Sequence, residues 1–145
     1  MMFCIINITD IMTVNERIVF ETIKYWIDTS NHDYRTMIVL FNSKEYSNSL
    51  FFGHIVLEKI LKAIFVKRFK NHPPFTHDLV VIARATGLNL SFEEMLFLKE
   101  VNYFNIRARY PEKKMIFYKK CTLSYTKDNL ERIIVLHKKI CQYLK

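Results

Sequence analysis

Residues 50–70, LFFGHIVLEKILKAIFVKRFK, form the most apolar long stretch of the chain and decide its fold. Apolar side chains cover nearly all sides of the predicted helix, which is typical of a helix in the middle of a bundle. The few polar residues are therefore informative. His54, Glu58 and Lys62 recur every fourth residue and form one polar stripe, with Lys59 beside it. A charge on a central helix must reach solvent, a partner or a ligand, because an unpaired buried charge is too costly.

The composition of the whole chain favours long helices. Half of its 145 residues are hydrophobic, enough for the core of one ordinary domain, and only two glycines and three prolines interrupt them. Such sparse punctuation disfavours a many-stranded β fold. The sequence predicts a single all-α domain over residues 13–145, after an N-terminal extension, residues 1–12. Met12 is an alternative start, which leaves open whether residues 1–11 belong to the native protein.

Two capping boxes mark helix starts. Residues 13–16 (TVNE) and 91–94 (SFEE) each pair a hydroxyl side chain with a glutamate three positions later. Helices should therefore start near Val14 and near Phe92. The first helix either breaks in the polar run 28–33 or continues through it as an exposed turn. The second is predicted to continue until the proline at position 111.

Proline and glycine set two further boundaries. The central helix is predicted over about residues 45–70, because the Pro73–Pro74 pair excludes helix after it. A short helix should follow over residues 78–86, with Gly87 as its stop.

The C-terminal part is predicted to hold one more long helix. Residues 112–125 are basic and aromatic and are interpreted as irregular, and Thr126 should cap a helix over about residues 127–144. The predicted fold is an antiparallel bundle of four long helices and one short helix.

The formal net charge of +8 suggests an anionic partner: nucleic acid, a nucleotide, or an acidic protein surface. Two basic clusters carry much of this charge. The first follows the second half of the central helix: Lys59, Lys62, Lys67, Arg68 and Lys70. The second is interleaved with Tyr110, Phe117 and Tyr118: Arg107, Arg109, Lys113, Lys114, Lys119 and Lys120. Such clusters bind phosphate and stack on bases, or are simply solvated basic faces.

Other kinds of site are disfavoured by the sequence. Cys4, Cys121 and Cys141 are widely spaced and are interpreted as reduced thiols in a cytoplasmic protein. The N-terminus lacks the basic region of a signal peptide, and no apolar run approaches the ~20 residues of a membrane span. His72 and His77 have only one further candidate metal ligand nearby, so they are interpreted as loop histidines. No cofactor and no metal are expected.

Three segments together resemble the HEPN family (higher eukaryotes and prokaryotes nucleotide-binding). Residues 52–63, FGHIVLEKILKA, are similar to its A-x-E-K-x-L-K-A helix. Residues 72–79, HPPFTHDL, are similar to its loop and short helix, and residues 105–111, NIRARYP, to its ARYP segment. The order and spacing match, and the resemblance covers residues 25–144.

The resemblance implies a helical bundle that often forms a homodimer and binds a nucleotide or RNA. It also implies association with a small nucleotidyltransferase, often as a toxin–antitoxin pair. The residues expected to bind the nucleotide or phosphate are Arg107, Arg109, Tyr110, Lys59, Lys62, His54 and Glu58. The polar stripe of the central helix is expected to face the Arg107–Tyr110 segment or a dimer groove.

Some members of the family are metal-independent ribonucleases, in which an arginine precedes a histidine by a short spacer. Arg132 and His137 fit the bare spacing, but Ile133 stands where a polar residue is usual. On an unbroken helix these two side chains lie about 140° apart. Three hypotheses remain: a nucleotide- or RNA-binding module, a ribonuclease toxin, and a dimeric adaptor that binds an acidic protein.

Overall fold

The computed structural model describes residues 12–105 and 111–145, and within these residues it contains helices and no strands. The predicted all-α class is confirmed. The predicted extension, residues 1–12, lies almost wholly outside the described part. Six α-helices follow in order, with a short 3-10 turn after the last: α1 Val14–Asn42, α2 Tyr46–Phe69, α3 Leu79–Thr86, α4 Phe92–Asn102, α5 Pro111–Lys120, α6 Leu123–Cys141 and the turn Gln142–Leu144.

Helix α1 is continuous through the polar run 28–33, which the sequence left ambiguous. Two polar residues of this run are buried because they face α2. The Ser30 hydroxyl donates to the carbonyl of Val56 at 3.0 Å, and the Asp33 carboxylate pairs with Lys59. The run therefore forms a polar seam in the α1–α2 hairpin, and the two helices pack along most of their length.

Helix α2 is the central helix, as predicted. Its apolar side chains are almost fully buried against α1, α3 and α6, among them Leu57, Ile60 and Leu61. Gly53 allows α2 to pack closely on α6, because a Cβ atom there would lie 2.6 Å from Cδ1 of Ile133. The helix ends at Phe69, and the proline loop begins shortly after it.

The ends of α3 and α4 are fixed by local caps. The Asp78 carboxylate accepts from the backbone amides of the first turn of α3, and Gly87 ends this helix with φ of 70°. The capping box of Ser91 and Glu94 starts α4 as predicted. The prediction that α4 continues to residue 111 is wrong, because the chain turns after Asn102.

The prediction of an irregular segment over residues 112–125 is also wrong. Helix α5 occupies Pro111–Lys120, with proline at its first position, where the missing N–H costs nothing. Its only buried side chain is Phe117, which stacks on Phe104 at 5.6 Å. Helix α6 starts at Leu123 because Thr122 is its cap, whereas Thr126, the predicted cap, is fully buried.

Candidate functional site

The polar stripe of α2 centres on Glu58, which is only 8% exposed. Lys62 Nζ donates to its Oε1 at 2.8 Å, and His77 Nδ1 lies 3.1 Å from both carboxylate oxygens. Burial raises the pKa of Glu58, but the hydrogen bonds and charges of Lys62 and His77 outweigh burial and leave the pKa below its ordinary value. Glu58 is therefore an anion that ties α2 to the loop before α3.

His54 lies one turn before Glu58 and is 1% exposed. Its Nε2 donates to the backbone carbonyl of His77 at 2.9 Å. Its Nδ1 lies 3.8 Å from a Glu58 oxygen and has no hydrogen-bond partner. Burial lowers the pKa of His54, so the neutral ring that donates from Nε2 is the stable form. His54 thus packs between α2 and the loop.

The two lysines of the same region each have an anionic partner. Lys59 pairs with Asp33 of α1, and Lys62 pairs with Glu58 while its ammonium also lies 5.3 Å from the ring centre of Trp26. Two cations and two carboxylates balance each other here. The structure thus brings together His54, Glu58 and Lys62 with a partner that the sequence did not predict, His77, and it places Lys59 on a separate pair.

Neither loop histidine is arranged as a metal ligand. His72 stacks on Phe75 at 4.1 Å between ring centres, and its Nδ1 lies 2.6 Å from the carbonyl of Pro73. His77 is occupied by Glu58. Across residues 12–105 and 111–145, no group of three or more potential ligands could hold a metal ion.

Arg132 and His137 are not brought together within one protomer. The Arg132 guanidinium lies 3.9 Å above the ring of Phe97 and binds Glu100 at 3.1 Å, so it faces α4. The His137 ring packs against Tyr34 of α1 at 5.1 Å, and burial lowers its pKa. The two side chains lie on different sides of α6, as the helical spacing indicates.

The remaining predicted binding residues, Arg107, Arg109 and Tyr110, lie outside the described residues, so their position relative to the α2 stripe stays a prediction. The described chain resumes with α5, where every residue except Phe117 is exposed. Its lysines and Tyr118 therefore face solvent. No helix of the described ranges is long and apolar enough to cross a membrane.

Sequence reasoning missed Asp33, His77 and Trp26 as members of the α2 network. Only His77 carried a signal, because it stands just before the N-cap of α3 and within the loop that resembles a family segment.

The comparison with known proteins agrees with this architecture. The HEPN domain model matches residues 23–145, which include most of α1 and all of the later helices. Searches of curated proteins and of solved structures found no match. The family match covers far more than half of the chain, including the whole α2 stripe and the loop that binds it. The chain therefore belongs to the HEPN domain family.

Proposed function

We propose that this protein is a nucleotide- or RNA-binding module whose ligand contacts Arg107, Arg109 and Tyr110 and the exposed basic and aromatic side chains of α5. Membership of the HEPN family supports a nucleotide- or RNA-related role. The net charge of +8 agrees with a polyanionic ligand.

The observation that carries the proposal is the composition and exposure of α5. Four lysines of this helix are exposed, and Tyr118, which lies between them in the sequence, is 62% exposed. These side chains are spread around the exposed sides of the helix, with Lys114 and Lys119 about 140° apart. We call the set the α5 basic face: Lys113, Lys114, Lys119, Lys120 and Tyr118. Ammonium groups attract phosphates, and a solvent-facing phenol ring offers a surface on which a base can stack. Arg107, Arg109 and Tyr110 precede this helix directly and would extend the same chemistry with guanidinium groups.

The α2 stripe has a different role in this proposal. Lys59 and Lys62 are already neutralised by carboxylates, and a phosphate would have to displace them. Glu58 would repel a phosphate. We therefore assign His54, Glu58, Lys59 and Lys62 to holding α2 against α1 and the α3 loop, and leave direct contact to the α5 basic face and residues 107–110.

The partners are proposed from the family alone. A homodimer and a small nucleotidyltransferase, in a toxin–antitoxin arrangement, are the assembly that the resemblance implies. The test is the set of proteins that co-purifies with the chain at native expression level, together with the mass of the chain in solution. A partner retained without any nucleotide or RNA would favour the adaptor hypothesis.

A binding assay tests the ligand class. We expect labelled single-stranded RNA or a nucleotide to bind at low salt. Each phosphate contact releases counterions from the RNA, which favours binding. Lys114→Glu/Lys119→Glu loses such contacts and should therefore weaken binding at least about tenfold. Lys24→Glu/Lys44→Glu, exposed positions of α1 and its turn, changes the net charge equally and should have little effect.

Three outcomes would contradict this proposal. Failure to bind RNA and nucleotides at low salt removes its support. Equal weakening by both double variants would mean that net charge, not the α5 basic face, attracts the ligand. Cleavage of RNA that His137→Ala abolishes would assign the protein to the ribonucleases instead.

A further inference from the structure

We infer that the groove between α4 and α6 binds a positively charged amphipathic helix of a partner protein, at a site separate from the α5 basic face. The groove has a volume of about 530 Å³, within the range of roughly 300–1,000 Å³ that ordinary binding pockets have. None of its lining residues belongs to α5. The inference goes beyond the proposed function, because it concerns a second macromolecule whose charge is opposite to that of RNA.

The centre of the groove is apolar. Phe97 of α4 and Leu136 of α6 form its floor and are each 4% exposed, whereas Val135 lies next to Leu136 on α6 and is 70% exposed. Covering this valine and the edges of the floor with an apolar side chain removes apolar surface from water, which favours association. An amphipathic helix supplies such side chains when it binds in a groove.

Two ion pairs bridge the groove and show the direction of its walls. Lys139 Nζ lies 2.7 Å from a carboxylate oxygen of Glu94, and Arg132 Nη1 lies 3.1 Å from a carboxylate oxygen of Glu100. The earlier residue of α4 thus faces the later residue of α6, so the two helices run antiparallel. The Arg132 guanidinium also lies 3.9 Å from the centre of the Phe97 ring. Both cations that line the groove are therefore already neutralised by glutamates.

Three further carboxylates of the groove have no cationic partner in the described part of the chain: Glu93, Asp128 and Glu131. All three residues are exposed. Because the helices are antiparallel, Glu93 lies near the Lys139 end of the groove, whereas Asp128 and Glu131 lie near the other end. The rise of α6 from Asp128 to Lys139 separates these two ends by about 16 Å. The groove is therefore anionic at both ends and apolar between them.

This acidic groove contrasts with the charge of the whole chain. The formal net charge is +8, with 22 basic and 14 acidic side chains, yet four of the acidic side chains line this groove against two basic ones. Two other clefts of the described residues differ, since the cleft between α1 and α2 is lined by one carboxylate and that between α1 and α6 by none. A cationic ligand, which the protein as a whole repels, is therefore attracted to the groove rather than to those clefts.

These features define the partner by its chemistry. Helix α4 has 11 residues and is about 16 Å long, so a helix that lies along the groove contacts it over about three turns. Its central residues are apolar at helical spacing and cover Val135. Lysine or arginine near each of its ends lies opposite Glu93 at one end of the groove and opposite Asp128 and Glu131 at the other.

Two labelled, helix-stabilised peptides of about 12 residues test this pattern. Both have the same composition. The first has lysines at both ends and leucines in the centre, and the second has these positions exchanged. At physiological salt, the fluorescence anisotropy of the first peptide should rise to saturation with the full-length protein. The second should bind at least about fivefold more weakly, because its apolar and charged residues face the wrong parts of the groove.

Charge-reversed variants locate the site. Asp128→Lys/Glu131→Lys should weaken binding of the first peptide at least about tenfold, because attraction at one end of the groove becomes repulsion. Glu21→Lys/Glu45→Lys is the matched control. It changes the net charge equally at exposed positions outside the groove, and it should have a much smaller effect.

A second pair of variants tests the apolar centre. Val135→Ser should weaken binding of the first peptide severalfold. Val39→Ser should not, since Val39 of α1 is 61% exposed but does not line the groove. Far-ultraviolet circular dichroism confirms that each variant is folded.

Four results would overturn the inference. They are the absence of saturable binding up to about 1 mM protein, the limit of weak specific binding, equal affinity for the two peptides, equal weakening by the two charge-reversed variants, and equal weakening by the two valine variants. Lys114→Glu/Lys119→Glu, which should weaken RNA binding, should not weaken peptide binding. Failure of this inference and failure of the proposed function are therefore distinguishable.

Discussion

Replacing Glu58 with glutamine should be one of the most destabilising single-atom changes in this protein. Glu58 and Lys62 are each 8% exposed, and their side chains meet at 2.8 Å. The variant keeps the size and shape of the side chain but removes the negative charge. It therefore leaves the Lys62 ammonium buried without an ionic partner.

The structure sets the size of this effect. Breaking a buried ion pair by removing one partner typically costs about 3–5 kcal/mol. Two features place Glu58→Gln at the low end of that range. The glutamine oxygen can still accept one hydrogen bond from Lys62, and the ammonium keeps its contact with the Trp26 ring. His77 is 57% exposed on its side chain, so the loss of its pairing adds little. We expect a loss of about 3 kcal/mol in the free energy of unfolding.

Urea denaturation followed by Trp26 emission measures this loss, and a double-mutant cycle assigns it. Lys62→Met removes the partner charge and keeps an unbranched stem over Trp26. Because Glu58→Gln/Lys62→Met leaves no uncompensated charge, it should cost less than the sum of the single changes by at least about 1.5 kcal/mol. The control is Lys24–Asp28, an exposed pair with the same spacing on α1, where coupling should be only a few tenths of a kcal/mol.

Two results would refute this reasoning. A cost below about 1 kcal/mol for Glu58→Gln would mean that water solvates Lys62 in the native state. Additive costs in the cycle would mean that the two residues act separately, and that the charge balance inferred for the α2 stripe is incorrect.

Three further predictions concern other features. The free energy of unfolding should fall as the pH drops from 7.5 to 5.5, because burial lowers the pKa values of His54 and His137 and the unfolded chain therefore takes up protons first. Each histidine lowers the free energy of unfolding by up to about 1.4 kcal/mol per pH unit. Urea titrations at each pH measure this change. An unchanged free energy would contradict the burial of both rings. Gly87→Ala should cost about 1 kcal/mol and Gly87→Asn less, by thermal unfolding, because φ is 70° there; equal stability of all three would contradict the left-handed turn. Burial raises the pKa of Cys121 to about 11, so its alkylation by iodoacetamide at pH 8 should be about a hundredfold slower than that of a thiol with pKa 9. Mass spectrometry of timed samples measures this rate, and rapid labelling would contradict the burial of the thiol.

Much of the fold could be predicted because its signals are local. Both capping boxes, the glycine stop of α3 and the apolar run of α2 depend on neighbouring residues only. The boundaries they predicted agree with the structure within one or two residues.

The errors arose where tertiary contacts decide the structure. Helix α5 buries a single side chain, Phe117, so it has no apolar period by which a helix could be recognised. The polar run of α1 stayed ambiguous between a break and a continuing helix, because the sequence does not reveal that Ser30 and Asp33 have partners on α2.

The contacts of the α2 stripe could be predicted only where the two partners are close in sequence. Glu58 and Lys62 are one helical turn apart, a spacing at which a carboxylate and an ammonium on one helix can pair, as they do here. Lys59 and His77 find partners at distances of 26 and 19 residues along the chain, which spacing rules cannot anticipate.

The salt dependence of RNA binding tests the central claim most directly. Affinity for single-stranded RNA is measured from low to physiological salt for the native protein and for Lys114→Glu/Lys119→Glu. If the α5 basic face binds phosphates, log K should fall linearly with log salt, by about 0.7 for each phosphate contacted, and the variant should have a slope shallower by about one unit or more. A flat plot for the native protein, or identical slopes for protein and variant, would contradict the account.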